Sequence, residues 1–264
     1  MWSDVLKIVV CVKHVPDAAA DRTFDDSDHT VDRSGVDGLL SELDEYAVEQ
    51  ALTIAEAGDG EVTVLSVGPE QATDAIRKAL QMGADKGVHV SDEAIHGSDA
   101  IATSIVLAKA IEKLDYDIVL CGMASTDGEM GVVPAMLAER LGIAQVTLGS
   151  ELAVDGSTVR IRRDGDVSTE TVEASTPAVV SVTDQTPEAR YPSFKGIMAA
   201  KKKPVESWTL ADLDVAPDQV GLAAAWSSVS ATQVRPPRTK GQIVPDEGEG
   251  GVKLVEFLVA QKFV

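Results

Sequence analysis

The residues best suited to chemistry lie in one short polar segment near the middle of the chain. Residues 122–133 follow an apolar run, carry hydroxyls at Ser125 and Thr126, and include Gly128 and Gly131, whose backbone N–H groups are expected to be unobstructed. N–H groups at the start of a helix carry partial positive charge and bind phosphate. The segment therefore predicts a phosphate-binding turn, and a plain cap and turn would explain the same residues equally well.

The segment fits none of the common nucleotide-hydrolysing or redox motifs. It lacks the lysine of a phosphate-loop NTPase and does not match Gly-x-Gly-x-x-Gly, so nucleotide hydrolysis and hydride transfer are both disfavoured. The four histidines are scattered without metal-like pairing, and no nucleophile motif with flanking glycines occurs. Cys11 and Cys121 stand in apolar runs, where a thiol packs as a small hydrophobe. The sequence thus predicts no catalytic residue, no metal site and no disulfide.

The elements that must position this segment are strands and helices in alternation, a pattern typical of a parallel sheet covered on both faces. The predicted strands are 7–12, 61–66, 87–90, 117–122 and 145–148. We expect a doubly wound α/β fold with a mostly parallel sheet whose core has the strand order 3-2-1-4-5. Strands one and four are then neighbours, and ligands bind outside their carboxyl ends in such sheets.

The second half of the chain changes to alternating apolar and polar residues with Asp-Gly turns. It predicts a small antiparallel meander with strands at 152–154, 158–163 and 168–173. A buried strand at 178–182 and a helix at 193–200 are predicted to follow. The last part is irregular, rich in proline, and ends in an amphipathic helix at 252–260. We therefore divide the chain into a nucleotide-binding α/β domain, 1–203, and a C-terminal arm, 204–264, that docks on a partner.

Other expectations concern the start of the chain and its charge. Residues 16–38 are acidic and rich in turn formers, which predicts a long excursion between the first strand and the first helix. The formal net charge of −20 repels nucleic acid and anionic membranes, and acidity of this degree is typical of halophilic proteins. No apolar run is long enough to span a membrane and no secretory signal is present, so we expect a cytoplasmic protein.

Four stretches resemble the beta subunits of electron transfer flavoproteins, and the likeness extends over nearly the whole chain. They are 7–17 (KIVVCVKHVPD), 44–49 (DEYAVE), 79–85 (ALQMGAD) and 190–203 (RYPSFKGIMAAKKK). The last is the most specific, because it is similar to the family's signature. The resemblance implies a heterodimer in which the larger alpha subunit contributes most of the site for a redox-active FAD, while the beta subunit buries a structural AMP.

The resemblance also implies which residues contact the nucleotide. The implied contacts are Cys11, Ser41, Glu42, Leu43, Asp44, Val67, Gly122, Met123, Ala124, Ser125, Thr126, Asp127, Gly128, Glu129, Met130, Gly131, Val132 and Val133. The chain departs from the family where Ser41-Glu42-Leu43 replaces Asn-Pro-Phe, and the carboxylates of Glu42 and Glu129 are expected near the phosphate. Electron-bifurcating members of the family hold a second FAD in place of AMP, and the sequence leaves this alternative open.

Residues 190–203 correspond to the family's recognition loop, through which acyl-CoA and related dehydrogenases dock. The implied partner contacts are Arg190, Tyr191, Pro192, Ser193, Phe194, Lys195, Gly196, Ile197, Met198, Lys201, Lys202 and Lys203. Phe194 takes an anchor position that is usually leucine and enters an apolar pocket of the dehydrogenase; its alternative role is a core residue of a short helix. The resemblance further implies that electrons pass through the partner's FAD to a membrane quinone oxidoreductase, so that the chain is expected to be an electron-carrier subunit and not an enzyme by itself.

A function of another class also fits an open sheet with a phosphate turn. A free-standing adenine-nucleotide sensor resembling the universal stress proteins would have both features. Such a sensor does not account for the meander, for residues 190–203 or for the long arm.

Overall fold

The computed structural model describes residues 5–33, 35–238, 240–241 and 243–264. The chain forms two compact units, Met1–Ser230 and Ala231–Val264. Of the residues described, the first unit contains every strand and every buried apolar side chain, and the second contains one helix. No helix in the described ranges is long and apolar enough to cross a bilayer.

The first unit is built on a nine-stranded sheet, accompanied by two small two-stranded sheets. The strands are β1 (Leu6–Cys11), β2 (His14–Pro16), β3 (Thr23–Phe24), β4 (Val31–Asp32), β5 (Gly38–Leu40), β6 (Gly60–Val67), β7 (Lys86–Val90), β8 (Ile118–Gly122), β9 (Ala144–Asp155), β10 (Thr158–Asp164), β11 (Thr169–Ser175), β12 (Ala178–Val182) and β13 (Val205–Trp208). The large sheet has the order β11-β10-β9-β12-β8-β1-β6-β7-β13. Only the β9–β10 and β10–β11 pairs in it are antiparallel. The predicted α/β class, with a mostly parallel sheet and an antiparallel extension, is confirmed.

The strand order differs from the prediction in one place. The order β7-β6-β1-β8 matches the predicted 3-2-1-4, but β12 lies between β8 and β9, so the predicted strands four and five are not direct neighbours. β12 pairs in parallel with both β8 and β9, and all of its residues are buried. A strand that is apolar on both faces is stable in the interior of a sheet, which explains why the chain returns from the meander to this position.

β9 joins two strands that were predicted separately. Residues 145–148 and 152–154 belong to one continuous strand, and the meander consists of β9, β10 and β11. The register with β10 shifts between Arg162 and Arg163, opposite Gly149. A Cβ on Gly149 would lie 3.0 Å from Ile161 Cγ2, so glycine lets the strands approach closely at this bulge.

Helices α1 to α4 cover the two faces of the large sheet. The helices are α1 (Glu42–Ala57), α2 (Thr73–Met82), α3 (Ala100–Glu112), α4 (Val133–Leu141), α5 (Phe194–Ala200), α6 (Gly221–Ala224) and, in the second unit, α7 (Gly250–Ala260). Alternate side chains of β1 point to opposite faces: Ile8 and Val10 pack with α1 and α2, and Val9 and Cys11 pack with α3 and α4. Both faces of the central strands are therefore buried, as the continuous apolar runs predicted.

The predicted excursion at 16–38 contains both of the small sheets. β2 pairs with β5, and β3 pairs with β4 in a short hairpin. His96 Nε2 lies 2.8 Å from Asp28 Oδ2, which ties the hairpin to the segment that follows β7. The excursion is thus a folded structure and returns the chain directly to the start of α1.

The first unit extends beyond the domain boundary that the sequence suggested at 203. β13 pairs with β7 at the edge of the sheet, and Leu210, Leu213 and Val220 are buried in the core. These contacts keep the chain in the first unit as far as Ser230. The second unit contains α7, which includes the predicted helix 252–260 and begins at Gly250.

Candidate functional site

The carboxyl ends of β1 and β8 lie side by side, as predicted. Cys11 pairs with Cys121 across the two strands, and both thiols are buried and free. Just beyond the strand ends, the Lys13 N–H donates to Asp44 Oδ2 at 2.9 Å, and Lys13 Nζ lies 2.8 Å from Asp127 Oδ1. The segment after β1, the turn after β8 and the start of α1 therefore meet at one point.

Asp44 links both strands to the first turn of α1. Its buried carboxylate accepts hydrogen bonds from the backbone N–H groups of Lys13 and Gly122. Burial raises the pKa of Asp44 to about 7, although these two bonds and the charge of Lys13 oppose the rise. A Cβ on Gly122 would lie 2.6 Å from Asp44 Oδ1 and 2.7 Å from Leu43 O, so glycine is what lets α1 approach the end of β8 this closely.

Asp127 organises the turn that follows β8. Its side chain is 3% exposed and pairs with Lys13 and, at 3.1 Å, with Arg33. Burial alone would raise its pKa, but the charge and hydrogen bond of Lys13, a hydrogen bond from Ser125 and the charge of Arg33 outweigh burial and lower the pKa to about 2. The two basic side chains thus hold an ionised carboxylate inside the turn.

The amide of Gly128 is not free, in contrast to the expectation from its sequence context. It donates to Asp127 Oδ1 at 2.7 Å and to Ser125 Oγ at 3.2 Å. The Glu129 N–H likewise donates to Ser125 O at 3.0 Å. Short polar side chains in turns satisfy local backbone donors in this way. The N–H groups of Gly128 and Glu129 are therefore already satisfied within the turn.

A cleft of about 530 Å³ opens beside this junction. Its lining consists of Ala18, Arg22, Glu42, Leu43, Met123, Ala124, Ser125, Thr126 and Glu129. The volume lies in the range of small-molecule sites. The buried Oγ1 of Thr126 and the buried Oγ of Ser41, next to Glu42 in the chain, have no hydrogen-bond partner among the residues described. The guanidinium of Arg22 and the Thr126 hydroxyl fit the oxygens of a phosphorylated ligand.

The cleft contains seven of the predicted nucleotide contacts: Glu42, Leu43, Met123, Ala124, Ser125, Thr126 and Glu129. The other predicted contacts are not part of its lining. Cys11 and Asp44 are buried beneath the strand ends, Val67 ends the neighbouring strand β6, and Val132 lines a different groove between α3 and α4. The predicted contacts that line the cleft thus lie at the start of α1 and in the turn after β8, and the nucleotide contacts themselves stay a prediction.

Sequence reasoning missed two residues of the lining, Ala18 and Arg22. Both belong to the excursion, which contacts the turn after β8 through a hydrogen bond from Arg22 Nη2 to Thr126 O. Arg22 and Arg33 are the two basic residues of the otherwise acidic stretch 16–38. Their position among many acidic residues could have indicated a functional role, because an arginine in such a stretch is expected to make a specific contact.

The comparisons with known proteins agree on one family. The model of the electron transfer flavoprotein domain matches residues 28–213. The chain belongs to the electron transfer flavoprotein family. The subunit named electron transfer flavoprotein subunit beta from Mycobacterium bovis is 49% identical over 263 residues, 97% of this chain and 99% of that protein. The subunit of the same name from Clostridium acetobutylicum is 38% identical over 90% of this chain and 92% of its own length. That from Megasphaera elsdenii is 35% identical over 98% of this chain and its whole length.

A second surface of this family member is formed by α5 and the residues before it. Tyr191 and Phe194 are 85% and 81% exposed, and Ile197 and Met198 are also exposed. Ser193 caps α5, its side chain accepting a hydrogen bond from the Gly196 N–H at 3.0 Å. The alternative role of Phe194 as a core residue is wrong, because its ring lies outside the core. Exposed apolar residues clustered on one element are typical of interaction sites.

Several members of the predicted recognition set have roles within the fold. Arg190 donates to both Glu49 and Glu56 of α1, with four hydrogen bonds from its guanidinium. Lys203 Nζ donates to Leu80 O at 3.1 Å and Gly83 O at 2.8 Å, where it satisfies carbonyls at the end of α2. A Cβ on Gly196 would lie 2.4 Å from Gln81 O, so α5 packs tightly on α2.

These contacts divide eleven of the twelve predicted partner contacts into two groups, and the half-buried Pro192 falls in neither. Arg190, Ser193, Gly196 and Lys203 hold the segment in place, as described above. Tyr191, Phe194, Lys195, Ile197, Met198, Lys201 and Lys202 are exposed. The exposed group combines apolar and basic side chains on a chain that is otherwise strongly acidic.

Proposed function

We propose that this chain is the beta subunit of a heterodimeric electron transfer flavoprotein and binds AMP as a structural ligand. The observation that carries the proposal is the cleft at the junction of β1, β8 and α1, where Arg22 and an unpartnered threonine hydroxyl meet in a protein of net charge −20. A bound anion stabilises only the folded state, so AMP strengthens the junction by linkage. It takes no part in electron transfer.

In this proposal the chain supports electron transfer without reacting itself. Acyl-CoA and related dehydrogenases dock on α5, with Phe194 as the anchor, and donate electrons to the FAD held mainly by the alpha subunit. That FAD passes the electrons to a membrane quinone oxidoreductase. The exposed ring of Phe194 and the basic Lys201 and Lys202 beside it support this part of the proposal, since aromatic anchors dominate binding and rim charges guide encounter.

The C-terminal arm is proposed to bind the alpha subunit. Its helix α7 carries six apolar side chains, Val252, Leu254, Val255, Phe257, Leu258 and Val259, and none of them is buried. Their positions are spread around the helix axis, in contrast to the amphipathic pattern predicted for 252–260. A helix on a protein surface has a single apolar stripe. Such a helix becomes stable when a partner covers it. We place the assembly in the cytoplasm and relate its acidity to a high-salt interior.

Ligand extraction from the purified complex tests the proposal. The full chain is coexpressed with its alpha subunit, and the molecules released on denaturation are identified. The proposal predicts a coloured heterodimer with equal amounts of AMP and FAD. Two FAD molecules and no AMP per heterodimer would support the electron-bifurcating alternative, in which a second FAD replaces AMP. A chain that stays monomeric and colourless, or a complex without a bound nucleotide, would refute the proposal.

A further inference from the structure

The excursion between β2 and β5 supplies the cleft with a basic side chain. Arg22 is half-buried in the cleft lining, and its Nη2 donates to Thr126 O. A guanidinium has five N–H donors arranged in a planar fork. One donor is directed at the carbonyl of Thr126, and the Oγ1 of the same threonine is unpartnered. The guanidinium of Arg22 and a buried, unpartnered hydroxyl therefore meet at one residue of the turn, Thr126.

The other two basic residues at the junction are committed to Asp127. Lys13 Nζ and Arg33 Nη2 lie 2.8 and 3.1 Å from its two carboxylate oxygens. In the described part of the chain, by contrast, no carboxylate lies within ion-pair distance of Arg22. The cleft lining also contains the acidic Glu42 and Glu129, which repel an anion. Arg22 is thus the basic group that can offset this repulsion.

The fold holds Arg22 in place before any ligand binds. The hairpin β3–β4 follows it directly. Two side-chain contacts fix this hairpin, one between Arg33 and Asp127 and one between Asp28 and His96. A side chain held in this way loses little conformational freedom when it binds a ligand. The excursion is therefore a preformed wall of the cleft and can carry a specific contact.

We propose that Arg22 recognises the phosphate of the bound nucleotide and makes the cleft selective for a phosphorylated nucleoside. This inference rests on the proposed nucleotide-binding function and adds to it a residue from outside the predicted contact set. The guanidinium and Thr126 Oγ1 donate to the phosphate oxygens, and the nucleoside occupies the apolar part of the cleft near Leu43 and Met123. Removing the guanidinium affects binding of AMP and spares binding of adenosine.

The test compares AMP with adenosine on the full chain in complex with its alpha subunit, after endogenous nucleotide has been exchanged out. Arg22→Gln is expected to weaken AMP binding by about ten- to a hundredfold, the range for a charge-assisted hydrogen bond. Adenosine binding is expected to change by less than about twofold. Equilibrium dialysis with each compound measures both constants. Arg160→Gln, which removes an exposed arginine of β10 that pairs with Glu173, is the matched control for net charge.

The outcomes separate this inference from the function on which it rests. If wild-type complex binds neither compound, the proposed nucleotide function fails, and the role of Arg22 fails with it. If wild type binds AMP but Arg22→Gln binds it equally well, or loses AMP and adenosine to the same degree, only the role of Arg22 is overturned. Unchanged melting of the variant complex excludes misfolding, and a lysine in place of Arg22 is expected to restore part of the AMP affinity because it keeps the charge.

Discussion

Two buried aspartates at the junction show how position decides the charge of a side chain. Asp127 faces the basic side chains of Lys13 and Arg33, and its pKa falls to about 2. Asp44 receives two backbone N–H groups and lies deeper, and burial raises its pKa to about 7. Full charges stabilise a buried carboxylate more strongly than backbone hydrogen bonds do. Asp127 is therefore ionised at neutral pH, whereas Asp44 titrates near it.

The raised pKa of Asp44 predicts a stability effect with a defined sign. Its folded pKa of about 7 lies above the usual value of 3.8, so its contribution is fully present below pH ~4 and is lost as pH rises through ~7. Asp44→Asn has no such loss. Between pH ~4 and ~7, wild type should therefore lose a few kcal/mol of its free energy of unfolding relative to Asp44→Asn. The size follows from about 1.4 kcal/mol for each unit by which the folded pKa is raised. Urea denaturation of both proteins across this pH range measures it.

The groups that face Asp44 allow a control. Lys13, Asp127 and Cys121 contribute to its electrostatic surroundings, and none of them is altered by the substitution. Glu139→Gln removes an exposed acid of α4 and is expected to keep the pH dependence of wild type. Parallel curves for wild type and Asp44→Asn would show that the buried carboxylate does not titrate in this range.

At the scale of elements, α5 shows how a short helix is held by residues outside its exposed face. The bonds of Arg190 to α1, the cap by Ser193 and the bonds of Lys203 to α2 fix both of its ends. An isolated helix of this length is unstable in water, so these tertiary bonds are needed. They leave Phe194 on the surface, in a fixed position.

Truncation of Phe194 separates recognition from stability. Phe194→Ala is expected to lower kcat/KM for reduction of the complex by an acyl-CoA dehydrogenase by roughly tenfold, because a central aromatic anchor is lost. Its free energy of unfolding should change by less than about 0.5 kcal/mol, as for other exposed positions. Val167→Ala at the tip of the β10–β11 loop, where Val167 is 98% exposed, is the matched control. Equal rates for the two variants would remove the anchor role.

The elements also show which features a sequence reveals. β1, β6, β7 and β8 were predicted in their correct order, because each is a local apolar run and the doubly wound pattern orders them. The insertion of β12 was not predicted, since both orders bury the same apolar residues and only long-range pairing distinguishes them. Arg22 was missed for the same reason, as its contact with Thr126 joins residues that are 104 positions apart in the sequence. Local sequence patterns thus predicted the turn after β8 but not the residues of the excursion that line the same cleft.

The whole molecule divides into a unit with a core and a unit without one. In the described residues, every buried apolar side chain lies at or before Val220. The second unit, Ala231–Val264, instead exposes Val234, Ile243 and Phe263 to 90%, 82% and 70%. Apolar side chains left in water contribute nothing to folding, whereas covering them favours association. The arm is therefore expected to matter for assembly and not for the stability of the first unit.

Deletion of residues 231–264 tests this division. We expect the shortened chain to unfold cooperatively, with a melting temperature within about 3 °C of the full chain, since a difference below 1 kcal/mol shifts Tm by only a few degrees. It should no longer copurify with the alpha subunit, because the apolar surface of α7 is gone. Phe257→Asp in the full chain is expected to weaken the same association, while Glu256→Gln on the same helix leaves it unchanged. A shortened chain that still forms the heterodimer would assign the interface to the first unit, and one that fails to fold would show that the arm belongs to the core.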